Sequence, residues 1–401
     1  MRRIITVVLM IAIYGACSSA PETAQEDSLD CSAHQKDAMD AIECARGQAE
    51  SWIEFTDYER DSPRGGLAVY SFADGPEHLQ ERTFLYDQAL AILWVTWGGD
   101  YHTARALAKT LISLQSDDGS WGFSFEAREG GFYDEGYVRT GAMAWAGWAM
   151  AYYADRSGDK EALAAARKAR SYIDNLQRDA RAEGGGLYAA GEGYHDPDSG
   201  ERVLGQPVEF VSTEHQFDVH KFLRTFDGQA AFRLQERILD ILWLSQEGRF
   251  AMGFQEAGVD TRRALDTSGG WGALWLWSVG RQDLAARSLD FTLDTFGFEG
   301  VPGGFVPYLD EVDGYEPDAG LIFVEGSLGV ALAALRLEQA GVTEEILAMA
   351  AALARRAGPG IPYADQSRGD FADRPAAAST LWFLMVEREW RTGERAPLFL
   401  P

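Results

Sequence analysis

Five segments of this chain place a charged side chain immediately before a run of Ala, Gly, Leu and Trp that is typical of a buried helix. The segments are YDQAL, VRTGAMAW, STEHQFD, DTSGGWGAL and VEGSLGVAL, and their charged residues are Asp87, Arg139, Glu214, Asp266 and Glu325. Four of the five are carboxylic acids. Two carboxyl groups that flank a glycosidic bond can cleave it, because one protonates the leaving oxygen while the other activates water or attacks the sugar. The four acids are therefore candidate catalysts.

Glu214 is the first candidate for the proton donor. Ser212 and Thr213 precede it and can cap the helix in its place. Asp87 and Glu325 are the next candidates, either for the base or for substrate binding. Each acid also has a structural alternative, since a carboxylate in a first helical turn satisfies free N–H groups and the helix dipole.

Asp266 precedes Thr267 and Ser268 and fits a structural cap as well as a catalyst. Four carboxylates on one rim would nevertheless repel one another unless something binds there. Their recurrence thus favours a ligand site over four independent helix caps.

Further residues near the same helix starts are candidates for substrate binding. His215 can hydrogen-bond a sugar hydroxyl or adjust the pKa of Glu214, and its alternative is a satisfied core histidine. Arg139 can bind an acidic or hydroxyl-rich ligand, or simply neutralise the carboxylates. Aromatic faces stack on sugar rings, although some of these aromatic residues are expected to be core. The full set of binding candidates is His215, Asp218, Arg139, Tyr86, Tyr137, Trp121 and Trp271.

The elements that position these residues recur about every 50–60 residues, which is typical of a helical-hairpin repeat. Amphipathic helices alternate with helices that are apolar nearly all round, as an outer and an inner ring require. The amphipathic outer helices are predicted at about 33–56, 101–115, 159–178, 228–246, 281–296 and 343–357. The apolar inner helices are predicted at about 84–97, 138–154, 212–226, 267–279, 324–340 and 374–388. The pattern predicts an all-α fold, an (α/α)6 barrel over 33–401.

The loops differ sharply between the two ends of the predicted barrel. Loops that enter inner helices are long and rich in Gly and aromatic residues, and one of them predicts a β-hairpin around PDSG. Loops at the other end are as short as GGD, SGD and AGV. The long-loop end is therefore the expected functional face.

Charge and cysteine content limit the possible partners. A net charge of -26 argues against a basic surface that binds nucleic acid and against a basic patch that binds membranes. No Cys/His cluster supports zinc or thiol chemistry, and DEVDGYEPDAG lacks EF-hand spacing. We expect a carbohydrate partner and neither a cofactor nor a metal.

The first residues indicate export. Two arginines, a short apolar run and small residues predict a signal peptide over 1–17, followed by a polar tether over 18–32. YGAC resembles the lipobox of bacterial lipoproteins, which implies lipidation at Cys17 and location at the cell envelope, with membrane contact only through that anchor. Simple secretion is the alternative. Cys31 and Cys44 then remain for one disulfide, or for two reduced thiols.

The helix-start segments resemble those of the six-hairpin glycosidase superfamily of (α/α)6 toroids, over nearly all of the mature chain. The resemblance implies a substrate cleft at the N-terminal ends of the inner helices and favours a glycoside hydrolase. A lyase that uses Tyr137, Arg139 and His215 is an alternative, and a non-catalytic glycan-binding lipoprotein is another. Gln115, Gly119 and Trp121 also resemble the Gln-Gly-Trp signature of terpene-cyclase toroids, but the chain has no DxDD acid motif.

Overall fold

The structure, a computed structural model, describes residues 38–53, 55–58, 66–72, 79, 81–127, 136–178, 183–195, 202–208, 210–312, 320–369 and 371–401. The helices are α1 (Ala38–Trp52), α2 (Leu85–Trp97), α3 (Tyr101–Leu114), α4 (Thr140–Ser157), α5 (Lys160–Asn175), α6 (Thr213–Phe226), α7 (Gly228–Ile241), α8 (Leu265–Ser268), α9 (Gly270–Ser278), α10 (Gln282–Thr295), α11 (Val324–Arg336), α12 (Ala340–Ala357) and α13 (Ala377–Thr392).

Short strands lie in the connections between these helices. They are β1 (Phe55–Tyr58), β2 (Gly66–Val69), β3 (Arg82–Phe84), β4 (Ser124–Glu126), β5 (Val138–Arg139), β6 (Gly191–His195), β7 (Arg202–Val208), β8 (Val211–Ser212), β9 (Trp243–Leu244), β10 (Arg249–Phe250), β11 (Gly253–Gln255) and β12 (Gly258–Asp260).

Six helical elements form a closed inner ring. Going round it, α2, α4, α6, α9, α11 and α13 each pack against the next, and α13 packs against α2 to close the ring. The outer helices α3, α5, α7, α10 and α12 each pack against the preceding inner helix, and α1 packs against α12 and α13. The predicted all-α, (α/α)6 barrel is confirmed.

Burial explains why the two kinds of helix differ in sequence. Every residue of α4 from Thr140 to Ala151 is buried, because neighbours and the barrel interior enclose it on all sides. The outer helix α5 buries Ala, Tyr and Ile on one face and exposes its charged residues on the other. The alternation of the two patterns is therefore the direct consequence of two concentric layers.

Two inner helices differ most from the prediction at their N-terminal ends. The fourth is interrupted at Gly269, whose φ of -110° and ψ of -111° are not helical, so a one-turn α8 precedes α9. The sixth begins at Ala377 and not near 374, because Pro375 lies in extended chain that bridges to Pro362. Both differences lie at the end of the barrel that carries the candidate acids.

Short strands fix the approach to three inner helices. β3, β5 and β8 lead directly into α2, α4 and α6, and they pair with β4, β6 and β11. β6 and β7 form the predicted hairpin, with Tyr194 opposite Val203, while its PDSG turn lies outside the described residues. These ladders hold the first residues of the inner helices in place.

The predicted amino-terminal features lie outside the described residues. These are the signal peptide over 1–17 with Cys17, the tether over 18–32, and Cys31. Cys44 on α1 is disulfide-bonded, and its pairing with Cys31 stays a prediction. In the part of the chain that the structure describes, no helix has the length and hydropathy needed to cross a membrane.

Glycine permits the close crossing of α9 and α11. A Cβ placed on Gly270 would lie 2.5 Å from the carbonyl carbon of Gly329 and 2.6 Å from the amide nitrogen of Val330. These are backbone atoms that cannot rotate away, so a larger residue would push the two inner helices apart.

We predict that Gly270→Ala lowers the free energy of unfolding by about 1–3 kcal/mol, the usual cost of overpacking a core. The matched control is Gly228→Ala at the start of α7, where a Cβ meets nothing within 4 Å. Chemical denaturation of both variants measures the effect. Equal stability of the two variants would contradict the close crossing.

Candidate active site

A cavity opens at the starts of α4, α6 and α8. We call it the acidic cavity, and it is lined by Arg139, Phe210, Ser212, Glu214, His215, Met252, Ala264, Asp266, Thr267 and Tyr308. It therefore lies on the predicted face, at the N-terminal ends of inner helices.

Glu214 lies half-buried on the wall of the acidic cavity. Ser212 is the N-cap of α6, and its hydroxyl accepts a hydrogen bond from the backbone N–H of His215. Glu214 is therefore not needed as the cap. Burial raises the pKa of Glu214 to about 7, because the charged carboxylate loses hydration at this position. A carboxyl with this pKa can carry a proton near neutral pH.

Asp266 faces the same acidic cavity from α8. Asp266 lies in the first turn of α8, after Ala264, which occupies the N-cap position and provides no side-chain cap. One carboxyl oxygen, Oδ1, is buried without a hydrogen-bond partner. Burial raises the pKa of Asp266 well above its usual range, and the nearby Glu214 and Glu325 carboxylates raise it further.

Glu325 and Tyr86 form a buried hydrogen-bonded chain with Trp382. The Trp382 indole N–H donates to the Tyr86 hydroxyl at 2.7 Å, and that hydroxyl donates to Glu325 Oε1 at 2.8 Å. Burial raises the pKa of Glu325 to about 8, although the hydrogen bond from Tyr86 opposes this shift. Burial also raises the pKa of Tyr86. Tyr86 thus orients Glu325 and stays protonated.

Asp87 occupies a different position from the other three acids. It is buried beside Ser71, whose hydroxyl hydrogen-bonds its carboxylate, and it does not line the acidic cavity. Burial nevertheless raises its pKa to about 7. Because Asp87 and Glu325 repel each other, Asp87 contributes to the raised pKa of Glu325. Asp87, a candidate for the base or for substrate binding, therefore lies apart from Glu214 and Asp266 on the cavity wall.

Asp218 lies one helical turn after Glu214 on α6. It is buried, and it accepts a hydrogen bond from the side chain of Trp145 on α4. Burial raises its pKa well above the usual range, and repulsion from Glu214 and Asp266 adds to the shift. A Cβ on Gly141 would lie 2.8 Å from Asp218 Oδ2, so glycine there allows α4 to approach this carboxyl group closely.

His215 is neutral in this environment. It is buried, its Nδ1 has no hydrogen-bond partner, and it lines the acidic cavity. Burial lowers its pKa to about 3, and the positive charge of Arg139 lowers it further. A histidine that stays neutral offers a hydrogen bond without contributing a charge.

Arg139 is held rigidly at the start of α4. Its Nη1 donates to the backbone carbonyls of Val138, Glu192 and Gly193, and its guanidinium lies 3.8 Å from the ring centroid of Tyr137. Tyr137 is buried beneath that guanidinium. The structure therefore makes Tyr137 a support for Arg139 and corrects its assignment as a sugar platform.

Two tryptophans expected to bind substrate belong to the core. Trp121 is fully buried, and its indole N–H donates to the Leu111 carbonyl at 2.8 Å. Trp271 is buried and packs edge-on against Trp382, with 5.5 Å between ring centroids. Neither ring lines the acidic cavity. Trp271 instead supports Trp382, which donates to Tyr86.

Sequence reasoning missed Trp145, Trp382 and Tyr363. Tyr363 has a raised pKa, first from burial and then from the Glu325 and Asp266 carboxylates that lie near it. Its position in the loop that enters the sixth inner helix was the available signal, because every other inner helix is entered through a loop with aromatic residues. Among the described residues, no group of three or more His, Cys, Asp or Glu side chains is placed to hold a metal ion.

Comparison with known proteins supports the fold and no specific chemistry. No family model and no curated protein matches the chain. A solved glycosidase in complex with glucose is 13% identical, with 91% of this chain and 98% of that chain covered and a TM-score of 0.57. A sugar epimerase from a ruminal bacterium is 15% identical, with 86% and 98% covered and a TM-score of 0.57. A D-mannose isomerase is 12% identical, with 88% and 97% covered and a TM-score of 0.61. At these identities the likeness shows the (α/α)6 toroid fold.

The raised carboxyl pKa values predict an unusual pH dependence of stability. Between about pH 5 and pH 8 the folded protein holds protons that unfolded carboxyl groups, with pKa near 4, have released. Stability therefore falls as pH rises through this window. Glu325→Gln removes one carboxyl group whose ionisation destabilises the folded protein, since the pKa of Glu325 is raised to about 8.

We expect Glu325→Gln to melt above the wild type at pH 8 and close to it at pH 5. The control is Glu236→Gln, at an exposed position on α7, which should leave the pH dependence unchanged. Thermal melts of the three proteins across this range measure the effect. A wild type that becomes more stable from pH 5 to pH 8 would refute the buried-carboxyl account.

Proposed function

We propose that the protein is a glycoside hydrolase in which Glu214 and Asp266 form the acid/base pair. The observation that carries the proposal is that both carboxyl groups line one cavity and both have raised pKa values. They come from consecutive inner-helix starts, α6 and α8. Hydrolysis of a glycosidic bond requires such a pair, one member protonated and the other ionised.

Mutual repulsion keeps one of the two carboxyl groups protonated. Two close carboxyl groups in a poorly hydrated cavity do not ionise together, so one keeps a proton near neutral pH. Glu214 is the proposed donor to the leaving oxygen, since its pKa of about 7 suits general acid catalysis. Asp266, with a buried unpartnered Oδ1, is the proposed group that activates water or attacks the sugar.

The other polar groups fit the binding of a hydroxyl-rich ligand. His215 presents a neutral imidazole with an unpartnered Nδ1, and such an atom is costly to bury unless a ligand pairs with it. Tyr308 also lines the acidic cavity and offers a hydroxyl and a ring. These features support a polysaccharide or oligosaccharide substrate.

One observation favours a second candidate, a polysaccharide lyase. Arg139 and His215 line the same cavity, as neutralisation of a uronate and abstraction of its proton would require. The pKa of His215 is about 3, however, which makes it a weak base. The hydrolase is therefore the better-supported candidate. A sugar epimerase or isomerase would be recognised by its products, which would keep the chain length of the substrate.

We predict that Glu214→Gln and Asp266→Asn each lower turnover by at least ~10²-fold while the fold survives, because acid/base groups contribute about 10²–10⁴. The assay is digestion of a glycan library with analysis of the reducing ends, followed by kinetics on the substrate found. Glu236→Gln on the exposed surface is the control. Near-normal turnover by Glu214→Gln would remove it from the chemistry, and an unsaturated product that absorbs in the ultraviolet would identify a lyase.

We further propose export and lipid anchoring at Cys17 to the cell envelope. The support is the short apolar run before YGAC, which is characteristic of an export signal. An anchored enzyme would meet glycans outside the cytoplasm.

In cells, the full-length protein should partition with membranes, and Cys17→Ala should move it to the soluble fraction because the acyl chains are lost. Cell fractionation with immunoblotting measures this, and Glu236→Gln, at an exposed position on α7, is the control for a substitution outside the predicted signal. An unchanged membrane fraction for Cys17→Ala would refute the anchor.

A further inference from the structure

A short segment after α13 closes the barrel at the end opposite to the acidic cavity. This segment, residues 396–400, is tied down by Arg336, the last residue of α11. The buried Arg336 guanidinium donates to the carbonyls of Ala396, Leu398 and Phe399, and it pairs with Glu389 through two contacts of 3.1 Å. Because these groups are buried and mutually satisfied, the segment has a well-defined backbone position.

Two further basic side chains hold the last part of the segment. Lys221 on α6 donates to the Leu400 carbonyl at 2.7 Å, and Arg224 donates to the same oxygen at 3.4 Å. Between these anchors Phe399 has a φ of 46°, which lies in the left-handed region that bulky residues rarely adopt. Such a conformation persists only where surrounding contacts enforce it.

The enforced conformation directs the Phe399 ring into the barrel interior. The side chain is only 2% exposed, and its ring packs edge-on against Trp145 with 6.0 Å between centroids. Phe399, Trp145, Asp218 and Lys221 line one small cavity beneath the helix starts, together with Ala144 and Trp148. The segment thus reaches the side chains that support the candidate acids.

Trp145 connects this segment to two parts of the site. Its side chain hydrogen-bonds Asp218, which lies one turn below Glu214 and repels it electrostatically. Its ring also packs edge-on against Tyr86, with 5.2 Å between centroids, and Tyr86 donates to Glu325. A displaced Trp145 would therefore disturb Asp218 and Tyr86 together.

We propose that Phe399 is a positioning residue for the active site, which acts by fixing Trp145 against Asp218 and Tyr86. This inference rests on the proposed hydrolase function. Phe399 touches no reacting atom, and its contribution is to hold the support of Glu214 and Glu325 in the geometry that catalysis needs. Segments remote from the chemistry can control turnover in this way, since displacement of about 1 Å costs about 10²-fold.

The kinetic test compares Phe399→Leu, Trp145→Phe and the double variant on the glycan identified for the wild type. We expect each single variant to lower kcat at least ~10-fold with KM changed less than ~2-fold, as expected for interactions made in the transition state. If Phe399 acts through Trp145, the double variant will be no slower than Trp145→Phe alone. Multiplying effects would overturn the proposal.

Leu398→Ala is the control for general loosening of the segment, because it truncates another fully buried side chain. It should lower the melting temperature and leave kcat close to wild type. An equal loss of kcat in Leu398→Ala and Phe399→Leu would show a merely structural role and overturn the proposal. If Phe399→Leu does not fold, the Trp145→Phe variant alone tests the proposal. An unchanged kcat in that variant would refute the role of Trp145 in positioning the site.

A spectroscopic measurement separates this inference from the proposed function. The indole ¹H–¹⁵N resonance of Trp145, identified by its absence in Trp145→Phe, should move in Asp218→Asn and also in Phe399→Leu. An unmoved resonance in Phe399→Leu would refute the positioning inference even if the protein hydrolyses glycans. If the resonance moves but no glycan is cleaved, the hydrolase proposal fails and the contact between Phe399 and Trp145 stands.

Discussion

The loss of hydration around carboxyl groups at the inner-helix starts is the constraint on which the site depends. Helix dipoles and capping N–H groups normally stabilise an ionised acid in a first turn. Here burial outweighs them, and the pKa values of Glu214 and Glu325 rise to about 7 and about 8. The barrel imposes this by closing a ring of apolar helices around acids that strands and neighbouring helices hold in place. Stability at neutral pH is reduced in exchange for groups that can carry protons.

The proposed catalytic residues and the segment that supports them lie at opposite ends of the barrel axis. Acids and binding groups lie at the N-terminal ends of the inner helices, whereas the Arg336–Glu389 pair and the segment of residues 396–400 lie at the other end. Trp145 spans the two regions, because its ring contacts both Phe399 and Tyr86. A ring of helices can thus transmit the position of a remote segment to the site through a single side chain.

The sequence predicts the fold and the placement of Glu214 well, and the environment of the acids poorly. Apolar runs at regular spacing fix the inner helices, and Ser212 marks Glu214 as an acid not needed for capping. The helix break at Gly269 follows Asp266, and the Gly269 and Gly270 pair permits such a break without requiring it. Trp121 lies in a long, Gly-rich loop of the kind expected to present aromatic rings to a sugar. Its indole N–H nevertheless donates to the backbone carbonyl of Leu111 in the core. Phe399 and Trp145 are too distant in sequence for any pattern to connect them.

The most direct test of the central claim is the ionisation of Glu214 itself. Carboxyl-carbon NMR of protein labelled at glutamate, with the signal assigned by its loss in Glu214→Gln, follows this group through a pH titration. The account predicts a midpoint near 7, as burial requires. A midpoint at the ordinary glutamate value of about 4.3 would contradict the account.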